Sequence, residues 1–136
     1  MEKIGLLAGI GRLPVEIALA AQDSNIEITA IALLDDVEAD LADSVVDFNK
    51  INIGQLDCII QTLVQKNIKQ VTMIGKVTKE LMFNGEVAID QRWQKLFSSL
   101  PNNNDDTLML ALVQELATEG IGVFDQTMLI KKLMPS

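Results

Sequence analysis

The 136-residue chain has no histidine and no tyrosine, a single cysteine, a single tryptophan and three prolines. Without histidine there is no Ser-His or Cys-His pair, no imidazole base and no histidine-rich metal site. Any chemistry falls to carboxylates, Lys, Arg, hydroxyls and backbone dipoles. Cys58 alone makes neither an internal disulfide nor a cysteine metal cluster, which points to a reducing compartment. Apolar runs such as Ile28 to Leu34 stop far short of the roughly 20 residues that span a bilayer. The N-terminus also lacks a cationic region followed by a cleavable apolar stretch, so the chain reads as a soluble cytoplasmic protein.

What is present is enough for one core. A hydrophobic share of 49% against 22% charged residues lets a chain of this length fold as one domain over residues 1–136 without covalent staples. The net charge of −8 is uneven: residues 1–60 hold 3 basic and 11 acidic side chains, and residues 61–136 hold 8 of each. Such a surface repels a phosphate backbone, which argues against nucleic acid as a partner.

Lys3 to Ala8 is a short apolar run ending at Gly9, the pattern of a buried parallel strand. After Gly9-Ile10-Gly11-Arg12, Leu13 to Gln22 sets Leu13, Ile17 and Ala20/Ala21 on one helical face, with Pro14 in the first turn where its missing N–H costs nothing. Ile26 to Leu34 reads as a second strand stopping at Asp35-Asp36. Asp35 to Asp43 reads as a loop or short exposed helix, and Val45 to Phe48 as a brief third strand. Leu56, Ile59, Ile60, Leu63 and Val64 give the clearest helix, from Gln55 to Lys66, with Asn67 as its stop signal. Val71 to Ile74 makes a fourth strand closing at Gly75-Lys76. A loop around Asn84-Gly85, a helix from Gln91 to Leu100, a helix from Thr107 to Glu119 and a last strand from Ile121 to Phe124 complete the alternation. The pattern is that of an α/β, Rossmann-like, doubly wound and mostly parallel sheet of about five strands with helices on both faces.

In such sheets ligands sit beyond the carboxyl ends of the strands. Those ends are Gly9 to Arg12, Asp35-Asp36, Gly75-Lys76 and, if its helix starts on the same rim, Asp105-Asp106. The first bend presents backbone N–H groups and a helix N-terminus to an anion, with Arg12 as a forked phosphate donor; the alternative is a plain strand-to-helix turn with a solvated arginine. A dinucleotide fingerprint would need a small residue where Pro14 stands, and there is no Gly-x-x-x-x-Gly-Lys-Ser/Thr phosphate loop around Lys76. Asp35 stands about where a ribose-binding carboxylate would be, but opens an acidic tract and reads as a solvated loop charge. Asp105 and Asp106 read as a cap and a dipole partner of the helix they open, with Mg²⁺ ligation as the alternative. Cys58 reads as a packed small side chain. Trp93, Phe97 and Leu100 are expected to pack on the domain or on a partner, and Met128, Leu129, Leu133 and Met134 to cover a neighbouring domain.

Several of these segments together carry a family resemblance: Lys3-Ile4-Gly5-Leu6-Leu7-Ala8-Gly9-Ile10-Gly11-Arg12-Leu13-Pro14, Gly54-Gln55-Leu56, Met73-Ile74-Gly75-Lys76-Val77, and Asp105-Asp106-Thr107-Leu108 followed by Glu119-Gly120. The chain resembles the N-terminal domain of LpxI, a UDP-2,3-diacylglucosamine pyrophosphatase of lipid A biosynthesis. Ile10 departs from the small residue frequent there, and Thr78 to Asp90 does not align. The resemblance implies Mg²⁺-dependent hydrolysis of a UDP-linked diacylated glucosamine to UMP and 2,3-diacylglucosamine 1-phosphate. It also implies that the key acidic residues belong to a C-terminal catalytic domain absent from this chain, and that membrane contact, at the inner membrane, comes only through the lipid substrate.

Matching positions imply that Gly9, Gly11, Arg12, Leu13, Gly75 and Lys76 bind substrate and that Asp105 and Asp106 lie at a metal or interdomain site. The isolated chain is then expected to be inactive. A non-catalytic nucleotide- or sugar-phosphate-binding module is the alternative, and a dinucleotide-dependent oxidoreductase is disfavoured by Pro14. A homo-oligomer stays open.

Overall fold

A computed structural model describes residues 2–35, 37–75, 89–102 and 104–133. Five strands form one parallel sheet: β1 (Glu2–Ala8), β2 (Ile26–Ala32), β3 (Asp47–Lys50), β4 (Gln70–Ile74) and β5 (Gly122–Val123), in the order β3-β2-β1-β4-β5. Between and after them lie α1 (Leu13–Asp23), α2 (Leu41–Ser44), α3 (Leu56–Gln65), α4 (Gln91–Ser99), α5 (Asp105–Thr118) and α6 (Gln126–Leu133). The chain steps from β1 outward to β2 and β3, then returns through α3 to the other side of β1. Because parallel crossovers are right-handed, reversing the direction of travel moves the connecting helix to the opposite face. The sheet is therefore doubly wound, and the alternation of β1 serves both layers. Ile4, Leu6 and Ala8 pack with Val15, Ile17, Ala18 and Ala21 of α1, while Leu7 packs with Leu56, Ile59, Ile60 and Leu63 of α3.

Gly5 is where β1 must stay bare. A Cβ there would fall 2.6 Å from Val71 Cγ1 and 3.2 Å from Leu63 Cδ2, so the missing side chain lets α3 and β4 close on the strand. The four inward residues of α3 are 0–1% exposed, and burying each contributes about 1.5–3 kcal/mol. Val64 is 43% exposed and Cys58 is exposed. The expectation of a packed cysteine is thus corrected: relative to Leu56, Cys58 lies about 200° around the helix, opposite the apolar stripe.

Asn67 ends the clear helix as expected, and one strand boundary shifts. Asn25 and Asn67 adopt positive φ of 61° and 60°, ending α1 and α3 in left-handed turns that Asn tolerates. The third strand runs Asp47–Lys50 rather than Val45 to Phe48, because it pairs with β2 from Thr29↔Asp47 to Ala32↔Lys50. Leu129 and Leu133 were expected to cover a neighbouring domain, but at 1% and 8% exposure they close this domain's own α1 layer. Met128 is exposed; Met134 and the Asn84-Gly85 loop lie outside the described residues. Among the described residues no helix is long and apolar enough to cross a membrane.

Candidate functional site

The strand order places the topological switch between β1 and β4, where successive connections leave for opposite faces and open a crevice. The two loops at that fork touch through their backbones. Gly9 N–H donates to the carbonyl of Ile74 (2.8 Å). Gly75, at φ +99°, lies so close that a Cβ would sit 2.8 Å from the Gly9 carbonyl carbon and 2.9 Å from its oxygen. Both the left-handed φ and the contact demand glycine at Gly75. Gly11 is different in kind. Its φ is +120° and no described atom lies within 4 Å of an added Cβ, so the bend between β1 and α1 is open on that side.

The first turn of α1 is not sealed by a side chain. Arg12 occupies the N-cap position without a capping hydrogen bond from its side chain, and Pro14 has no N–H to offer. The Arg12 carbonyl takes the N–H groups of Val15 and Glu16 at 3.1 and 3.2 Å. The Arg12 side chain turns instead to the acidic tract: Nη1 donates to Asp40 Oδ2 at 2.7 Å and lies 4.0 Å from Glu38. The hydrogen bond to Asp40, more than the nearby charges, holds the guanidinium above its ordinary pKa. Leu13 is half-buried and packs with the α1 layer.

Of the eight residues expected at the site, the structure gathers Gly9, Gly11, Arg12, Leu13 and Gly75 at the switch. Lys76 lies outside the described residues. Asp105 and Asp106 open α5, which runs antiparallel to the sheet into β5, so topology sets that turn on the same rim. The N-cap position there is Asn104. Asn104 accepts from Thr107 N–H at 3.0 Å, which corrects the expectation that one of the pair does so, and Asp106 is exposed beside the positive helix end.

Sequence reasoning missed a second polar centre. Asp90 caps two helices at once: Oδ1 accepts from Trp93 N–H in α4 (3.0 Å), and Oδ2 from Asp57 N–H in the first turn of α3 (2.7 Å). Arg92 then reaches Asp57 (2.8 Å), Glu119 (3.1 Å) and Glu115 (3.3 Å), tying α3, α4 and α5 together. Burial alone would lower its pKa, but hydrogen bonds to Asp57 and Glu119 and the charge of Glu115 outweigh it and leave the net direction upward. Trp93 is fully buried, donates Nε1–H to the Ile53 carbonyl (2.7 Å) and stacks on Phe97 at 5.5 Å. A cavity of about 710 Å³ borders this corner, lined by Asp57, Asp90, Gln91, Arg92, Lys95 and Glu115. Its acids and its arginine are already engaged in capping and ion pairing, a structural role. Only the S/T/D/N-before-helix pattern at Asp90 could have flagged it in the sequence.

A protein-family model described as LpxI N-terminal domain matches residues 3–133. Among solved structures, the chain is similar to the biotin carboxylase domain of a thermophilic 2-oxoglutarate carboxylase bound to ADP, at 12% identity and a TM-score of 0.52. It is also similar to the biotin carboxylase subunit of a pyruvate carboxylase, at 14% identity and 0.51. Each alignment covers 90% of this chain and 22% of the other, so the likeness is one of fold and the chain spans about a fifth of those structures. No sequence among the curated proteins matches it.

Proposed function

The chain belongs to the LpxI N-terminal domain family, and on that footing we propose that it is the substrate-holding half of a UDP-2,3-diacylglucosamine pyrophosphatase. The reaction is hydrolysis of the UDP-linked lipid to UMP and 2,3-diacylglucosamine 1-phosphate in the cytoplasm, for lipid A assembly. One observation carries the reading: the fork where the Gly9 and Gly75 backbones meet, beside an open bend at Gly11 and a helix start that no side chain caps. Backbone N–H groups and the positive end of α1 suit a diphosphate there. Fixed donors of this kind hold the equatorial oxygens without reorganising as charge develops at phosphorus. Arg12 reaches the anion by exchanging Asp40 for a phosphate oxygen, and an exposed ion pair is weak enough to allow it.

Magnesium chemistry is part of the family resemblance, but the described residues do not build a cage for it: no three carboxylates or thiols among them are gathered. No step through the ion is therefore assigned to this chain. In the proposal, metal ligation and water activation belong to a C-terminal catalytic domain, with the Asp105-Asp106 turn at the boundary. The test is UMP release. Residues 1–136 are expected to bind the UDP lipid and to turn it over negligibly, while the full enzyme releases UMP and loses that activity with Gly75→Val. Release of UMP by the pure chain would overturn the division of labour. Saturable binding with no product even from the full enzyme would favour a non-catalytic nucleotide-sugar module.

A further inference from the structure

We infer that the small cavity at the carboxyl ends of β2 and β3 receives the ribose of the nucleotide, with Asp35 as the acceptor of its vicinal hydroxyls; this rests on the diphosphate reading of the adjacent switch. The cavity measures about 240 Å³ and is lined by Ala32, Leu33, Leu34, Asp35, Lys50 and Asn52. That is smaller than the roughly 300–1,000 Å³ that encloses a drug-sized molecule, so it takes one ring of a ligand rather than the whole. Its position follows from the sheet. Ala32 pairs with Ala8 in the ladder, and Leu33 N–H donates to the Ala8 carbonyl at 3.1 Å. The cavity therefore opens one strand over from Gly9, with neighbouring strands about 4.8 Å apart. A diphosphate at the switch places its nucleoside within reach of this wall or of the β4 side, and among the described residues the polar wall is here.

The lining has the chemistry of a sugar site. Leu33 and Leu34 are 0% and 7% exposed and give an apolar floor. Above it the Asp35 carboxylate is 85% exposed and lies 3.4 Å from Lys50 Nζ, itself 60% exposed. A carboxylate accepts two hydrogen bonds side by side, the arrangement two neighbouring hydroxyls offer. The lysine does not block the carboxylate, because so exposed a pair opens at little cost. Asn52 spends its carbonyl on Gly54 N–H at 2.9 Å, which leaves its amide N–H groups as donors facing no other described partner.

Asp35→Asn tests this at a side chain whose exposure keeps the fold safe. Inorganic pyrophosphate, UDP and 2′,3′-dideoxy-UDP are titrated calorimetrically into the full-length protein and its D35N variant. The expected result is pyrophosphate binding unchanged by the substitution, UDP binding weakened roughly tenfold or more, and dideoxy-UDP binding weak in both proteins. Equal UDP affinity in both proteins, with pyrophosphate still bound, overturns the ribose site and leaves the diphosphate reading standing. If neither pyrophosphate nor UDP binds, both readings fall together.

Discussion

The β1–β4 switch and the α3–α4–α5 corner are built on opposite plans. At the switch the side chains are missing or turned away: Gly9 and Gly75 meet backbone to backbone, Gly11 stands open, and α1 begins with no side-chain cap. At the corner polar groups are spent on one another: both oxygens of Asp90 cap helices, and Arg92 holds three carboxylates. The corner borders a cavity of about 710 Å³, yet its groups are committed to holding helices together. The switch has the donors left over. Unspent hydrogen-bonding capacity, rather than void volume, marks the place for a ligand.

The sharpest way to separate the two regions is to damage each and read stability and binding independently. Trp93→Ala should have the largest effect on stability. It empties a fully buried site and orphans the Ile53 carbonyl, at about 3–5 kcal/mol, measured by urea unfolding. Arg92→Met follows. It leaves Asp57, Glu115 and Glu119 facing each other without their shared cation and should cost about 1–3 kcal/mol, since removing one partner of a partly buried network strands the others. Neither change should alter pyrophosphate affinity in protein that remains folded.

Gly11→Ala reverses the pattern. Its cost in stability is the strain of a left-handed backbone, about 1 kcal/mol, because the space around it is open. The larger loss should be in UDP affinity, read by calorimetry. Arg12→Gln is the smallest perturbation: no measurable shift of the unfolding midpoint and a several-fold weaker UDP affinity. The pH dependence follows the same division. A raised arginine pKa means the folded state holds its proton more tightly, so the stabilisation is complete below the ordinary arginine value and fades only as pH climbs through the folded one. Between pH 6 and pH 9, roughly, replacing Arg92 should therefore shift urea midpoints by a constant amount.

Local patterning made much of the fold legible. The stripe Leu56, Ile59, Ile60 and Leu63 identified α3, and the same periodicity, carried through, puts Cys58 outside. The alternation of strands and helices identified a doubly wound sheet, while the strand order came only from which face each crossover takes. The bend at Gly9 to Leu13 was readable because glycine followed by a helix start is a local signal. Arg12's partner Asp40, 28 residues away, and the reach of Asp90 back to Asp57, 33 residues away, were not, because tertiary pairing leaves no local trace. Asp105 and Asp106 open α5, but Asn104 takes the cap, because its side-chain oxygen accepts as readily as an aspartate's and it stands one position earlier. Asp35 reads as a solvated acid in the sequence and is 85% exposed in the structure; the cavity beside it, formed with Lys50 and Asn52 of a later strand end, leaves no local trace.

The central claim is that bare backbone at the first bend grips a diphosphate. The most direct measurement is the perturbation of backbone amide ¹H–¹⁵N resonances on titrating the protein with inorganic pyrophosphate. The account predicts saturable shifts that are largest at Gly11, Arg12, Leu13 and Gly75, with Asp57, Arg92 and Lys95 unmoved. Shifts concentrated at Arg92 and Lys95, with the first bend silent, would contradict it.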